Sequence, residues 1–155
     1  MIKKGDFVLV DKDAAEFTFE TDYFAKVIYA EDYYQIEAMN GSLYDIEHSN
    51  KLHKVNKTLL NQVISEAHKF YFDNFYYPEL QIVIDAMEEF DDLLDYLEEH
   101  YNNHDEADVE LSALLYDITL LIEVFKYKRE ENWYCKDLEI LESMERYVRL
   151  FKEII

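Results

Sequence analysis

The sequence has few of the residues from which common functional sites are built. Its 155 residues include one cysteine, one proline and two glycines. The single cysteine, Cys135, excludes an intrachain disulfide and a Cys-x-x-Cys motif, so the chain needs no oxidising compartment and we expect it in the cytoplasm. The two glycines, Gly5 and Gly41, lie far apart, so they do not form the glycine-rich loops that hold phosphates and dinucleotides.

Long apolar runs and targeting signals are also missing. The most apolar stretch, residues 111–125, is interrupted by Asp117 and Glu123 and is shorter than the roughly 18 to 20 apolar residues of a membrane span. Residues 1–7 lead into no apolar segment with a cleavage site. The sequence therefore predicts neither a transmembrane helix nor a signal peptide.

Positive charge is scarce, because 15 Lys and Arg stand against 35 Asp and Glu, a net charge of −20. Half of the residues are hydrophobic and 16% are aromatic, which is enough to fill a core, so the charge does not indicate disorder. At this length we expect one domain, or two small ones. Such an excess of like charge repels phosphates and anionic lipids, so we expect no direct binding to nucleic acid or membranes and favour a basic partner.

Residues 1–57 alternate apolar and polar side chains in short runs, which predicts five or six strands. Asn40-Gly41 favours a type I′ turn, so a hairpin is predicted between residues 33–38 and 42–47. We therefore predict a small five-stranded antiparallel barrel or curved sheet. The runs are residues 7–10, 17–19, 24–29, 34–37, 43–46 and 52–55.

Over about residues 3–57 the order of these runs resembles the small barrels of Tudor domains. The likeness consists of Gly5-Asp6 before the first strand, runs at residues 23–28 and 33–37, and a closing run at residues 52–55. In Tudor barrels an aromatic cage binds methylated Lys or Arg by cation–π attraction. The resemblance implies a module that reads a basic or methylated peptide; the other interpretation is that the tyrosines are strand formers packed on the core. The tyrosines to test for the cage are Tyr23, Tyr33, Tyr34 and Tyr44.

From residue 58 the apolar period becomes helical and predicts a bundle of about four helices. The second predicted helix has an apolar seam at spacings of three and four residues from Leu80 to Tyr101, which could also pair with a second copy, so monomer and dimer both remain open. The third is apolar on most sides and is expected to be central. The fold class is therefore α+β, with a sheet subdomain at residues 1–57 and an acidic helical bundle at residues 58–155.

The negative charge is concentrated in one part of the chain. Residues 79–117 hold fourteen Asp and Glu and no Lys or Arg, whereas residues 1–57 hold eleven acids and seven bases. In the second helix the acids recur opposite the apolar seam, about 5 Å apart along the axis. Like charges at this spacing destabilise a helix, so selection for a negative surface is one explanation. The residues concerned are Asp85, Glu88, Glu89, Asp92, Asp95, Glu98 and Glu99.

In size, charge and lack of catalytic motifs, the sequence resembles the DNA-mimic proteins that phages and mobile elements use against restriction or CRISPR nucleases. It is also similar to the acidic immunity proteins that neutralise nuclease toxins. The resemblance implies a non-enzymatic inhibitor whose carboxylates stand in for phosphates in the basic groove of a nuclease or another nucleic-acid-binding protein. The alternative interpretation is the solvated face of an acidic protein.

Metal and nucleophile patterns are weak. His100 and His104 have the spacing of a zinc-binding pair, but the two asparagines between them are expected to end the helix. Cys135 lies among bulky apolar neighbours, where a free cysteine is more often a small buried hydrophobe. We therefore predict no enzyme, no metal site and no cofactor, and a small enzyme with an unrecognised site is the remaining alternative.

Overall fold

A computed structural model of the chain describes residues 1–99, 105–127 and 135–155. The chain divides into two compact units, Met1–Lys57 and Thr58–Ile155. The first is a five-stranded antiparallel sheet and the second has four helices, so the predicted α+β fold is confirmed. Within the described ranges, none of the helices has the length and apolar character needed to cross a membrane.

The sheet unit is open. Its strands are ordered β4-β3-β2-β1-β5 with antiparallel pairing throughout, and β4 and β5 form its two edges. Of the two predicted forms, barrel or sheet, the chain therefore adopts the unclosed one. The strands are β1 (Phe7–Val10), β2 (Tyr23–Ala30), β3 (Tyr34–Ala38), β4 (Leu43–Ile46) and β5 (Leu52–Lys54). Their alternation buries one apolar cluster, consisting of Val8, Val10, Ala25, Val27, Ile36, Ile46 and Leu52.

The hairpin of β3 and β4 is confirmed, but the predicted type I′ turn is wrong. That turn needs positive φ at both central residues, and no described residue other than glycine has positive φ. Gly41 alone adopts it here (φ +89), and its N–H donates to the Ala38 carbonyl at 2.9 Å. The Asn40 side-chain oxygen accepts a hydrogen bond from the Ser42 N–H at 3.0 Å. Asn40 thus closes the loop between β3 and β4 with its side chain instead of its backbone.

Residues 17–19 do not form the predicted strand. They lie in the connection between β1 and β2, where the Phe19 N–H donates to the Lys12 carbonyl at 2.8 Å. The Phe17 side chain is 67% exposed. Three alternating residues are too few to distinguish a strand from a loop that places a single ring on the sheet.

The helical unit follows the predicted apolar pattern. Its helices are α1 (Leu60–Asn74), α2 (Gln81–Glu99), α3 (Asp105–Tyr127) and α4 (Cys135–Ile154). Both α1 and α3 pack against α2 and α4. The seam of α2 is buried within this single chain from Val83 to Leu97, so the described seam is not a free surface for a second copy.

The predicted central position of α3 is wrong. Tyr116, Leu120 and Val124 are 66%, 49% and 51% exposed, respectively. Helix α3 buries one face against α2 and α4 and leaves an apolar flank in solvent. A high content of apolar residues therefore does not distinguish a surrounded helix from one that presents apolar side chains at the surface.

A buried carboxylate binds the backbone just before α2. Asp137, in the first turn of α4, is 1% exposed. Its oxygens accept hydrogen bonds from the backbone N–H groups of Glu79, at 3.1 and 3.2 Å, and Leu80, at 3.0 Å. These bonds replace the hydration that the carboxylate loses on burial. Asp137 thereby joins Glu79 and Leu80, the residues just before α2, to the first turn of α4.

A second acid, the half-buried Glu66, lies beside an aromatic cluster of α1, α2 and α4. Rings of Phe70, Phe90 and Tyr147 contact one another there, with centroids 5.4 to 6.3 Å apart. Beside them Glu66 has a buried Oε2 atom that has no hydrogen-bond partner in the described chain. Burial raises the pKa of Glu66 to about 7, although Lys69 and a hydrogen bond from the Tyr147 hydroxyl oppose the shift.

Candidate acidic binding surface

The seven predicted acids of α2 are all exposed, whereas its apolar seam is buried. Helix α2 contains no Lys or Arg, so it offers these carboxylates no cation of its own. Because α2 turns about 100° per residue, the acids form a broad band opposite the core. We call this band the acidic surface; it consists of Asp85, Glu88, Glu89, Asp92, Asp95, Glu98 and Glu99.

One flank of the acidic surface borders a groove between α2 and α3. Part of this groove, with a volume of about 480 Å³, has Glu89 and Asp92 on one side and Glu110 and Asp117 on the other. An adjoining part of about 390 Å³ extends to Asp85. The other groove side chains are Ile82, Ala86, Leu93, Tyr96, Ala113, Leu114, Leu120, Leu121 and Val124.

The groove combines carboxylates with apolar walls, which match the side chains of an amphipathic basic segment. Glu110 and Asp117 were not among the predicted binding residues. They belong to the fourteen-acid segment of the sequence, but nothing local indicates that they face α2. Only the packing of α3 against α2 brings them beside Glu89 and Asp92.

On the opposite flank, three carboxylates of α2 surround one imidazole of α1. Nδ1 of His68 lies 3.5 Å from Asp91 Oδ1. Nε2 of His68 lies 3.7 Å from Asp95 Oδ1 and 3.5 Å from Glu98 Oε2. Burial, and then the neighbouring Asp95 carboxylate, raise the pKa of Asp91, while His68 opposes the shift. This cluster was not predicted, because its imidazole and its carboxylates come from different helices.

Two of the four tyrosines proposed for an aromatic cage come together. The rings of Tyr23 and Tyr44 lie 5.9 Å apart between centroids, and Phe19 contacts them at 5.0 and 5.2 Å. All three pairs are edge-to-face. Burial raises the pKa of Tyr23 to about 12, and its hydroxyl has no hydrogen-bond partner among the described residues. Phe19 was not predicted to join these rings, because residues 17–19 were interpreted as a strand.

The other two tyrosines are not in ring contact with this group among the described residues. Tyr33 packs against Tyr29 with ring centroids 4.9 Å apart. Tyr34 packs on the apolar cluster of the sheet unit, as Tyr23 and Tyr44 also do. Of the four candidate rings, Tyr23 and Tyr44 are therefore the two that contact each other.

The histidine pair with zinc-binding spacing lies outside the described residues. His100, Asn102, Asn103 and His104 fall between the described ranges 1–99 and 105–127. The side chain of Cys135 likewise falls outside what the structure describes.

The chain matches no protein-family model, no curated protein and no solved structure. The functional inference therefore rests on the acidic surface, its two flanks and the rings of the sheet unit.

Proposed function

We propose that this protein is a non-enzymatic inhibitor that binds a basic, nucleic-acid-binding groove of another protein through its acidic surface. One observation carries the proposal: seven exposed carboxylates follow one helix that contains no Lys or Arg. Their spacing of about 5 Å along the axis is comparable to that of phosphates in a nucleic acid strand. Arg and Lys side chains placed to bind phosphates also bind carboxylates.

The loss of helix stability that like charges cause along α2 also supports a binding role. Each pair of like charges three or four residues apart destabilises a helix by about 0.2–0.5 kcal/mol, and mixing Glu with Lys would avoid this without loss of solubility. A uniformly negative surface accelerates encounter with a basic partner and repels nucleic acid. Within this class we favour a cytoplasmic DNA mimic directed against a nuclease, encoded by a phage or acting as an immunity protein.

The partner can be identified by capture from cells of the native host, with and without phage infection, and elution with rising salt. Binding of the purified partner to the full chain is then measured at 50 and 300 mM salt, with and without competing DNA. We expect tenfold or greater weakening at the higher salt, because ion pairs at an exposed interface are screened. We also expect DNA and this protein to exclude each other from the partner.

A charge-matched pair of variants tests whether the acidic surface makes the contact. Four acids of α2 become serine in one variant, and four exposed acids of the sheet unit become serine in the other. We expect at least a hundredfold loss of affinity in the first and less than threefold in the second. Circular dichroism should show unchanged helix content in both, and equal affinities would contradict the proposal. The α2 set is Asp85, Glu88, Asp92 and Asp95, and the control set is Glu16, Glu20, Asp32 and Glu47.

The second candidate function is a reader of basic or methylated peptides on the sheet unit. The contact of Tyr23 with Tyr44 and Phe19 favours it, because clustered rings can attract a cation. In that case Tyr44→Ala would abolish binding of a trimethyllysine peptide to the full chain, whereas Tyr33→Ala and the four-serine variant of α2 would not. The two functions therefore predict opposite results for the same set of variants.

A further inference from the structure

The flank of α2 that faces α1 has the donor atoms of a metal site. The imidazole of His68 supplies nitrogen, and the carboxylates of Asp95 and Glu98 supply oxygen. We propose that these three residues bind a divalent transition-metal ion, Zn²⁺ or an ion of similar coordination chemistry, with water completing the coordination. One nitrogen and two carboxylate oxygens form a donor set that borderline ions of this kind accept.

The distances are close to those of such a site. Zinc binds imidazole nitrogen at about 2.0–2.1 Å and carboxylate oxygen at about 2.0–2.2 Å, so two donors on a tetrahedral ion are about 3.4 Å apart. His68 Nε2 lies 3.5 Å from Glu98 Oε2 and 3.7 Å from Asp95 Oδ1, and the three donor atoms all lie within 4.8 Å of one another. The Asp95 and Glu98 side chains are 61% and 63% exposed, so small rotations can bring their oxygens onto an ion.

Asp91 completes the arrangement as a positioning residue. Its Oδ1 atom lies 3.5 Å from Nδ1 of His68, the ring nitrogen that faces away from Asp95 and Glu98. A carboxylate on one ring nitrogen fixes the tautomer and orientation of a metal-binding histidine and leaves the other nitrogen available to the ion. The Asp91 side chain is 30% exposed, about half as much as those of Asp95 and Glu98, so it is the most confined of the three carboxylates around the ring.

The local charge also favours a divalent ion. Within the described chain, His68 is the basic side chain whose ring nitrogens lie within 4.0 Å of Asp91, Asp95 and Glu98. An imidazole carries at most one positive charge, whereas three carboxylates surround it. A divalent ion would offset two of these charges and join α1 to α2. This inference does not depend on the proposed inhibitor function.

The test uses the full chain in a His100→Gln/His104→Gln background, which removes the histidines outside the described residues. After EDTA treatment and dialysis, Zn²⁺ is added in a calorimetric titration, and Co²⁺ is followed by visible absorption. We expect one ion per chain, a higher melting temperature with Zn²⁺, and a Zn²⁺-dependent change in the ¹⁵N shift of His68 Nε2. His68→Gln should weaken binding at least a hundredfold, and Asp91→Asn about tenfold to a hundredfold.

His53→Gln is the matched control, because His53 also contacts a carboxylate, Asp11 at 2.8 Å, and no second carboxylate of residues 1–99, 105–127 and 135–155 is paired with it. Its Zn²⁺ affinity should equal that of the parent within threefold. The Asp95→Asn/Glu98→Gln variant removes both carboxylate donors from exposed positions and should also lose binding, which keeps the test valid if His68→Gln does not fold. The proposal is wrong if the parent binds no Zn²⁺, or if the donor variants bind it as tightly as His53→Gln does.

Discussion

The sheet unit and helix α2 differ in how far cations of the chain compensate their negative charge. In the sheet unit cations lie beside carboxylates: Lys51 Nζ is 3.1 Å from Asp13 Oδ1, and Lys54 Nζ is 3.9 Å from Asp6 Oδ1. Helix α2 carries eight acids and no Lys or Arg. Carboxylates that pair with cations of the same unit can be explained by local structure alone. Charge concentrated on one exposed helix face needs a cation from outside that helix, and this difference directs the functional inference to α2.

The interior of the helical unit adds a second contrast, between buried and exposed acids. Asp137 is buried with its oxygens hydrogen-bonded, and Glu66 is half-buried with one buried oxygen that has no partner in the described chain. Replacing a buried acid is expected to change the free energy of unfolding. Replacing an exposed acid is expected to change mainly the binding of a partner. Substitutions in the two groups should therefore affect different measurements.

The largest effect on stability is expected for Asp137→Ala. The substitution removes a buried carboxylate and leaves the N–H groups of Glu79 and Leu80 without their acceptor. We expect a loss of about 2–4 kcal/mol in the free energy of unfolding, measured by urea denaturation. Glu139→Ala, which removes an exposed acid 3.8 Å from Lys136, should cost under about 0.5 kcal/mol. Similar losses in both variants would remove the distinction between buried and exposed acids.

Glu66→Gln should change how stability depends on pH. The pKa of Glu66 is raised from 4.5 to about 7 in the folded chain, so between these values the folded state holds a proton that the unfolded state has lost. This group therefore makes the wild type less stable as pH rises from about 4.5 to 7. A neutral glutamine removes that loss and should stabilise the protein by about 1–3 kcal/mol at pH 8, but by under about 0.5 kcal/mol near pH 4.5.

Urea denaturation at both pH values measures the effect of Glu66→Gln. The control is Asp73→Asn, which removes the charge of an exposed acid of the same helix and gives the reference difference from wild type at each pH. If the difference between Glu66→Gln and wild type is the same at both pH values, the half-buried carboxyl does not take up a proton on folding.

The fold was predictable from the sequence where the determinants are local. The change of apolar period from two to 3.6 separates strands from helices, and Asn40-Gly41 indicates the hairpin. The exposure of the seven acids follows from the apolar seam, because residues opposite a buried seam face solvent. The type of turn was not predictable, because the Asn40 side chain provides an alternative to positive φ.

Contacts between elements that are distant in sequence could not be predicted from the sequence. Asp137 lies 58 residues from Glu79, and no spacing rule connects them. The same holds for His68 on α1 and its carboxylates on α2, and for the α3 acids that border the groove. Periodicity gives the face of a helix that is buried, but not which neighbouring helix completes a site on the face that is exposed.

Asp92→Lys should have a smaller effect on stability than Asp137→Ala and Glu66→Gln, with a sign opposite to that of Asp137→Ala. Asp92 lies three or four residues from Glu88, Glu89 and Asp95, so lysine replaces like-charge pairs with opposite-charge pairs. We expect a gain of about 0.5–1 kcal/mol at 20 mM salt that largely disappears at 500 mM. Glu16→Lys in the sheet unit, where bases are already present, should change stability by less than about 0.3 kcal/mol.

The same Asp92→Lys protein should bind the basic partner at least tenfold more weakly, because it places a cation in the middle of the acidic surface. A substitution that stabilises the chain and impairs binding is the behaviour expected of a residue retained for recognition and not for folding. If Asp92→Lys stabilises α2 and leaves partner affinity unchanged, the acids are a solvated face, and the contrast between the two units has no functional meaning. If stability does not rise at low salt, the repulsion along α2 is already relieved, and an ion held by His68 and its carboxylates is then the first candidate to test.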